Sequence, residues 1–139
     1  MAVNTQFSIA VHIMAGLGCR TGECATSAQL AESVNTSPSF VRRVLAKLSK
    51  AHLIETATGK AGSCWLAKNP EDLSLLQIYR AVDAPKVFAI HKYAAQKPCP
   101  VSCNIKSCLE AVLTESQKAM EARLAKISLA DLIADVQKK

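Results

Sequence analysis

Two helix-start signals close behind one another, at Thr26 and at Ser37, limit what this chain can fold into more than any other feature. In Thr26-Ser27-Ala28-Gln29 a hydroxyl and an amide three residues apart can satisfy each other's orphan backbone donors. Ser37-Pro38 supplies a cap followed by a residue whose fixed φ suits the first helical position. Between the two, Asn35 tolerates the left-handed geometry that ends a helix. The first helix must therefore be short, with Leu30 and Val34 inward, and the second follows after a tight turn. From Ser37 onward Phe40, Val41, Val44, Leu45 and Leu48 form one apolar stripe, while Ser39, Arg42, Arg43, Ala46, Lys47 and Lys50 lie largely off it. Two short helices so joined, the second carrying Arg and Lys outward, outline a helix-turn-helix.

The flanking segments complete that outline. Phe7, Val11 and Met14, widened by Ile9, Ile13 and Leu17, mark a well-buried helix capped by Asn4 or Thr5 and stopped near Gly16–Gly18. Leu53–Ala57 and Ser63–Ala67 are strand-like runs around a Gly-containing loop, a hairpin that becomes a wing with Lys60 at its tip. Charge gathers in the same place. The chain carries a net +6, and residues 37–60 hold five basic side chains against Glu55 alone, whereas residues 69–139 hold ten basic and eight acidic residues. Such a patch gives salt-dependent binding, because each phosphate neutralised releases condensed counterions. Aromatic residues make up only 4% of the chain, too few for a platform that stacks unpaired bases.

In the C-terminal half, Asn69-Pro70 signals a turn, and Asp72 or Ser74 can cap a helix bearing Leu75, Leu76, Ile78, Tyr79 and Val82, closed by Ala84-Pro85. Residues 86–107, with Pro98 and Pro100, read as a partly irregular loop. A long helix is expected from about Ile105 or Cys108 to Ile127, and Ser128 caps a last short one through Asp131. The fold expected is mainly α with a small β-hairpin wing, divided into 1–84, a winged helix-turn-helix; 85–107, a cysteine-bearing loop region; and 108–139, a dimerisation helix with a C-terminal helix. So long a helix has little to bury itself against in one small domain, so a homodimer is expected, with two recognition helices about one duplex turn apart or a multiple of that.

Other classes fit poorly. The longest apolar run without a charge or imidazole, Ile13–Cys19, falls far short of the ~18 residues of a membrane span, so no membrane partner is expected. Leu17-Gly18-Cys19 looks like a lipoprotein cleavage site, but no Lys or Arg precedes Arg20 and His12 interrupts the apolar core. The expected location is therefore the cytoplasm, where six cysteines point to metal or redox chemistry rather than structural disulfides. No Cys-x-x-Cys, Ser-His-Asp or HExxH arrangement and no Gly-rich phosphate loop is present, so no enzyme is expected; the alternative class is a non-DNA protein-interaction module.

The residues Asn4–Ile13, Glu32–Pro38, Val41-Arg42-Arg43, Leu48–Leu53, Gly59–Ser63, Asp72–Val82, Cys99-Pro100-Val101 and Ser128–Leu132 resemble the Rrf2 family of bacterial winged-helix regulators. The opening segment and the Cys-Pro-Val stretch look most like its YwnA-like branch. The resemblance implies a homodimeric transcriptional regulator, usually a repressor, acting on double-stranded operator DNA. It places Ser37, Ser39, Arg42, Arg43 and Lys47 at the operator and Lys60 on the wing; with Thr26 these are the candidate DNA-contacting residues. Two positions depart from the family pattern: His52 stands where a Gly is usual, and Gly62-Ser63 replaces paired glycines. Many members hold an iron–sulfur cluster on three cysteines, which here implies Cys99, Cys103 and Cys108, with His12 of the other subunit as a conceivable fourth ligand. The second reading is a thiol switch, in which these cysteines oxidise or are alkylated. No metal is assigned. Cys19, Cys24 and Cys64 stand apart and are expected to be inert.

Overall fold

A helix without a single charged side chain has to be wrapped, and α1 (Gln6–Cys19) is wrapped on several sides. The computed structural model describes residues 4–19, 24–57 and 62–139. After α1 come β1 (Ala25–Thr26), α2 (Ser27–Val34), α3 (Pro38–Lys50), β2 (Ile54–Thr56), β3 (Ser63–Leu66), a 3₁₀ turn (Pro70–Asp72), α4 (Leu75–Ala81), α5 (Pro100–Ala125) and α6 (Leu129–Gln137). Ala10, Ile13, Met14 and Leu17 of α1 are buried, and α2, α3, α4, α6 and β3 all pack on this helix. α6 approaches so closely that a Cβ on Gly18 would collide with Ile133 Cδ1.

The chain forms two compact units, Met1–Ala84 with Leu124–Lys139, and Pro85–Arg123. In the first, α4 and α6 begin side by side. Leu75 N donates to Ile127 O at 2.9 Å and Leu129 N to Leu73 O at 2.7 Å, bridging Ser74 and Ser128. Each of those serines is the N-cap of a reciprocal capping box, with Gln77 and Asp131 respectively. Leu73, Ile78, Val82 and Leu129 are thereby driven into the same core as α1.

The expected hairpin is the antiparallel pair β2–β3, and a third strand extends it to a sheet in the order β1-β3-β2. The added strand has only two residues, with Ala25 opposite Cys64 and Thr26 opposite Ser63, too short to leave a periodic signal in the sequence. Across the other edge Glu55 faces Trp65, and the indole Nε1 donates to Glu55 Oε2 at 3.0 Å. Lys60 lies outside the described residues.

In the second unit, Lys86–Lys97 are irregular and mostly exposed. Val87 N donates to Gln117 Oε1 at 3.1 Å, leaving a groove between this segment and α5 lined by Phe88, Ile90 and Leu113. The long helix begins at Pro100, several residues ahead of the expected Ile105 or Cys108, and ends at Ala125. Pro100 sits at the first helical position, where its missing N–H costs nothing, so it starts the helix rather than interrupting it. Among the described residues no helix is long and apolar enough to cross a membrane.

The departure at His52 has a backbone cause. His52 N donates to Ser49 O at 2.9 Å and Leu53 N to Leu48 O at 3.0 Å, the paired bonds of a Schellman cap on α3, and His52 itself has φ of 62°. Glycine adopts that geometry without the Cβ penalty of roughly 1–2 kcal/mol, part of which its greater unfolded-chain entropy cancels. The substitution His52→Gly should therefore raise stability by about 0.5–1 kcal/mol, read as a higher urea midpoint at unchanged slope. An unchanged or lower midpoint would show that the imidazole makes compensating contacts.

Candidate nucleic-acid interface

α2 ends where its sequence says it must. Asn35 takes the left-handed conformation (φ 68°, ψ 48°) and its N–H returns to Ala31 O. Ser37 then caps α3, its Oγ accepting the Phe40 N–H at 3.3 Å. Val41, Val44, Leu45 and Leu48 are buried, which fixes the roll of α3 and turns its opposite face outward. At ~100° per residue, Ser39, Arg42, Arg43, Ala46 and Lys50 fall within an arc of about 100°. All five are exposed.

The predicted DNA-contacting residues divide by what already holds them. Arg42 is exposed on the open arc. Arg43 lies on the same arc with its guanidinium 5.1 Å from the centroid of the Phe40 ring, which orients the group while leaving it exposed. Lys47 is different: half-buried at the edge of the arc, its Nζ donates to Gln6 Oε1 of α1 at 2.7 Å. Ser37 and Ser39 share a hydroxyl contact of 3.3 Å at the cap. Thr26 is the N-cap of α2, accepting from Gln29 N at 3.2 Å and donating its own N–H to Gln29 Oε1 at 3.0 Å, so its hydroxyl holds the helix start. Lys50 is not among the predicted contacts, yet it stands on the exposed arc with Arg42 and Arg43. Its position on the helical wheel relative to the apolar stripe was the signal that identifies it.

The cysteines do not gather into one ligand set. Cys99 immediately precedes α5, and Cys103 and Cys108 lie along it, all exposed. Five residues of continuous helix separate the last two by roughly 140° around the axis, so they leave the helix on different sides. Among the described residues no group of three His, Cys, Asp or Glu side chains is placed to hold a metal. The residues of a single chain therefore do not fit an iron–sulfur cluster. His12 is exposed on α1 with Nε2 3.0 Å from Ser33 Oγ on α2, a polar bridge between two helices.

Cys64 lies in the middle strand, fully buried, its thiol donating to Ala25 O at 3.4 Å. Burial, reinforced by the nearby Cys24, pushes its pKa from 9.0 up to about 11. Cys19 and Cys24 are exposed.

The Rrf2 profile, described as an iron-dependent transcriptional regulator, matches residues 3–135. The HTH-type transcriptional regulator YwnA of Bacillus subtilis (strain 168) is 37% identical over 132 residues, spanning 94% of this chain and 96% of that protein. A transcriptional regulator from Lactobacillus plantarum has a similar crystal structure, with TM-score 0.82 at 26% identity over 96% of this chain and 90% of that one. The likeness to T. potens IscR (TM-score 0.71, 23% identity, 98% and 88% covered) is one of fold.

Thiol reactivity should follow this exposure. In the folded protein at pH 8, a thiol reagent should modify five cysteines and spare Cys64, which reacts only after denaturation. Because the folded state keeps the Cys64 proton longer than the unfolded chain does, stability should fall as pH rises from about 9 towards 11. Cys64→Ala should flatten that slope. Rapid labelling of Cys64 in the native protein would contradict its burial.

Proposed function

The chain belongs to the Rrf2 family of transcriptional regulators, and on that premise we propose that it is a homodimeric operator-binding repressor whose DNA affinity responds to the chemistry of its exposed cysteines. As a member of that family it is a regulator, not an enzyme. The observation that carries the reading is the outward arc of α3, where Arg42, Arg43 and Lys50 stand opposite a fully buried apolar face. Such an edge fits the major groove. Guanidinium groups there neutralise phosphates for affinity and pair with guanine edges for sequence choice. The N-terminus of α3 with Ser37 and Ser39 favours a phosphate by the orientation of its amides. Lys47, tied to Gln6, contributes charge more than reach, and Thr26 sets the start of α2. Repression asks no more of the protein than occupying its operator. The cytoplasm holds both that operator and reduced thiols.

Dimerisation rests on α5. Its 26 residues span roughly 39 Å, and none of them is buried. Ile105, Leu109, Val112 and Met120 recur at helical spacing along it, and Val112 is 59% exposed. A second copy related by a two-fold axis covers such a stripe and presents two α3 edges to one duplex. Thiol control is supported by position: Cys99, Cys103 and Cys108 all lie at or on that helix, within reach of solvent.

Selection of bound sequences from a randomised duplex pool should return an inverted repeat, its half-sites about one helical turn apart or a multiple of that. Against the selected duplex, Arg42→Ala should lose ~10–100-fold in affinity and reduce the salt slope by about one. Lys47→Ala should lose less. Equal affinity for the wild type and Arg42→Ala would remove α3 from the interface. Val112→Glu should turn the dimer into a monomer by light scattering and weaken operator binding with it; an unchanged dimer would place the contact elsewhere.

A further inference from the structure

We propose that Cys99 and Cys103 form a peroxide-reactive dithiol that closes into an intrachain disulfide at the start of α5. The inference rests on the thiol-control reading and assigns its chemistry to two of the six cysteines.

The assignment comes from the way α5 begins. Cys99 precedes Pro100, the first helical residue, and its Sγ accepts the Ser102 N–H at 3.5 Å, so the sulfur itself caps the helix. Cys99 O accepts the Cys103 N–H at 3.0 Å, the first bond of the helical ladder. Both thiols are exposed, one helical turn apart. Side chains four residues apart on a helix have Cβ atoms ~5–6 Å from each other, while a disulfide needs ~3.5–4.5 Å. A small movement of the capping residue therefore closes the gap, whereas an interior pair would have to break the helix. That movement removes the sulfur from Ser102 N–H and loosens the first turn. A bond closed at such a cost is easily reduced, as a reversible signal requires.

The other thiols lack this arrangement. Cys108 is nine residues into the helix, beyond the first turn where terminal amides are unpaired. Cys64 is buried in the sheet. Lys97 and Lys106 flank the pair in sequence, and no acidic residue lies between Asp83 and Glu110, so anionic groups in this segment meet only positive charge from their neighbours in the chain.

The oxidant is a hydroperoxide. Cys99 attacks one peroxide oxygen, the O–O bond breaks, and the leaving oxygen departs as alcohol or water after taking a proton. Cys99 is left as a sulfenic acid. Cys103 then attacks that sulfur, the S–S bond forms, the S–O bond breaks, and the hydroxide leaves as water with the Cys103 proton. Two thiols are oxidised by two electrons and one peroxide is reduced.

The full-length reduced protein, treated with a stoichiometric alkyl hydroperoxide and digested with trypsin without reduction, tests this. Lys97 precedes Pro98 and is not cleaved, so Cys99 and Cys103 share the peptide 93–106, while Cys108 falls in 107–118. The peptide 93–106 should lose two hydrogens and regain them with a reductant, and 107–118 should be unchanged. In Cys103→Ser, dimedone should trap a sulfenic acid on Cys99. In Cys99→Ser, which keeps a capping hydroxyl, oxidation at Cys103 should fall at least ~10-fold below wild type, in line with loss of the capped thiol. Trapping on Cys103 or Cys108 in place of Cys99, or a bond to any other cysteine, would overturn the assignment. Operator binding is measured on the same oxidised sample. A disulfide at 99–103 with unaltered affinity leaves this inference standing and removes thiol control. Redox-dependent binding without that disulfide does the reverse.

Discussion

Burial of α1 is the constraint on which the DNA-reading unit depends. Its Ala10, Ile13, Met14 and Leu17 are buried and only a narrow polar side, with Ser8 and His12, meets solvent, so its neighbours gather around the rest. α2, α3, α4, α6 and β3 each supply part of that cover. The outward edge of α3 is a by-product: once Val41, Val44, Leu45 and Leu48 are committed to the shared core, Arg42, Arg43 and Lys50 have nowhere to go but solvent. The hydrophobic term thus sets the direction in which the cations point, and the cations themselves contribute little to folding.

The parts of this architecture that could be read from the sequence are those settled within about four residues. Thr26 with Gln29, Ser37 with Pro38, Asn35 and Ser128 with Asp131 each fix a helix boundary through bonds between near neighbours, and the boundaries fall there. What escaped depends on distant partners. β1 exists only because β3 lies beside it, and the tether from Lys47 to Gln6 joins residues 41 apart in sequence. The start of α5 was hidden for another reason. Pro98 and Pro100 both read as interruptions, and which of two prolines begins a helix depends on the cap that precedes it. His52 shows the converse, since the fold explains a residue that the sequence marked only as unusual.

The cations of α3 are not equivalent, although the sequence lists them together. Arg42 is exposed, Arg43 gives up part of its side-chain freedom to Phe40, and Lys47 gives up its head group to an amide on α1. Freedom costs entropy on binding, so the pre-oriented Arg43 loses less when it meets a phosphate. Lys47 has to exchange one hydrogen bond for another. Charge counting alone misses this gradation, and it argues for reading such helices by what each group already holds.

The indole of Trp65 has one further consequence. It is the chain's only tryptophan, it lies in β3, and its N–H is held by a carboxylate on the adjacent strand. All tryptophan emission from this protein therefore arises from the central strand of the sheet, opposite Glu55 of β2. The molecule carries its own fluorescent label at the wing, and spectra recorded during titration with duplex report on that region without any dye being attached.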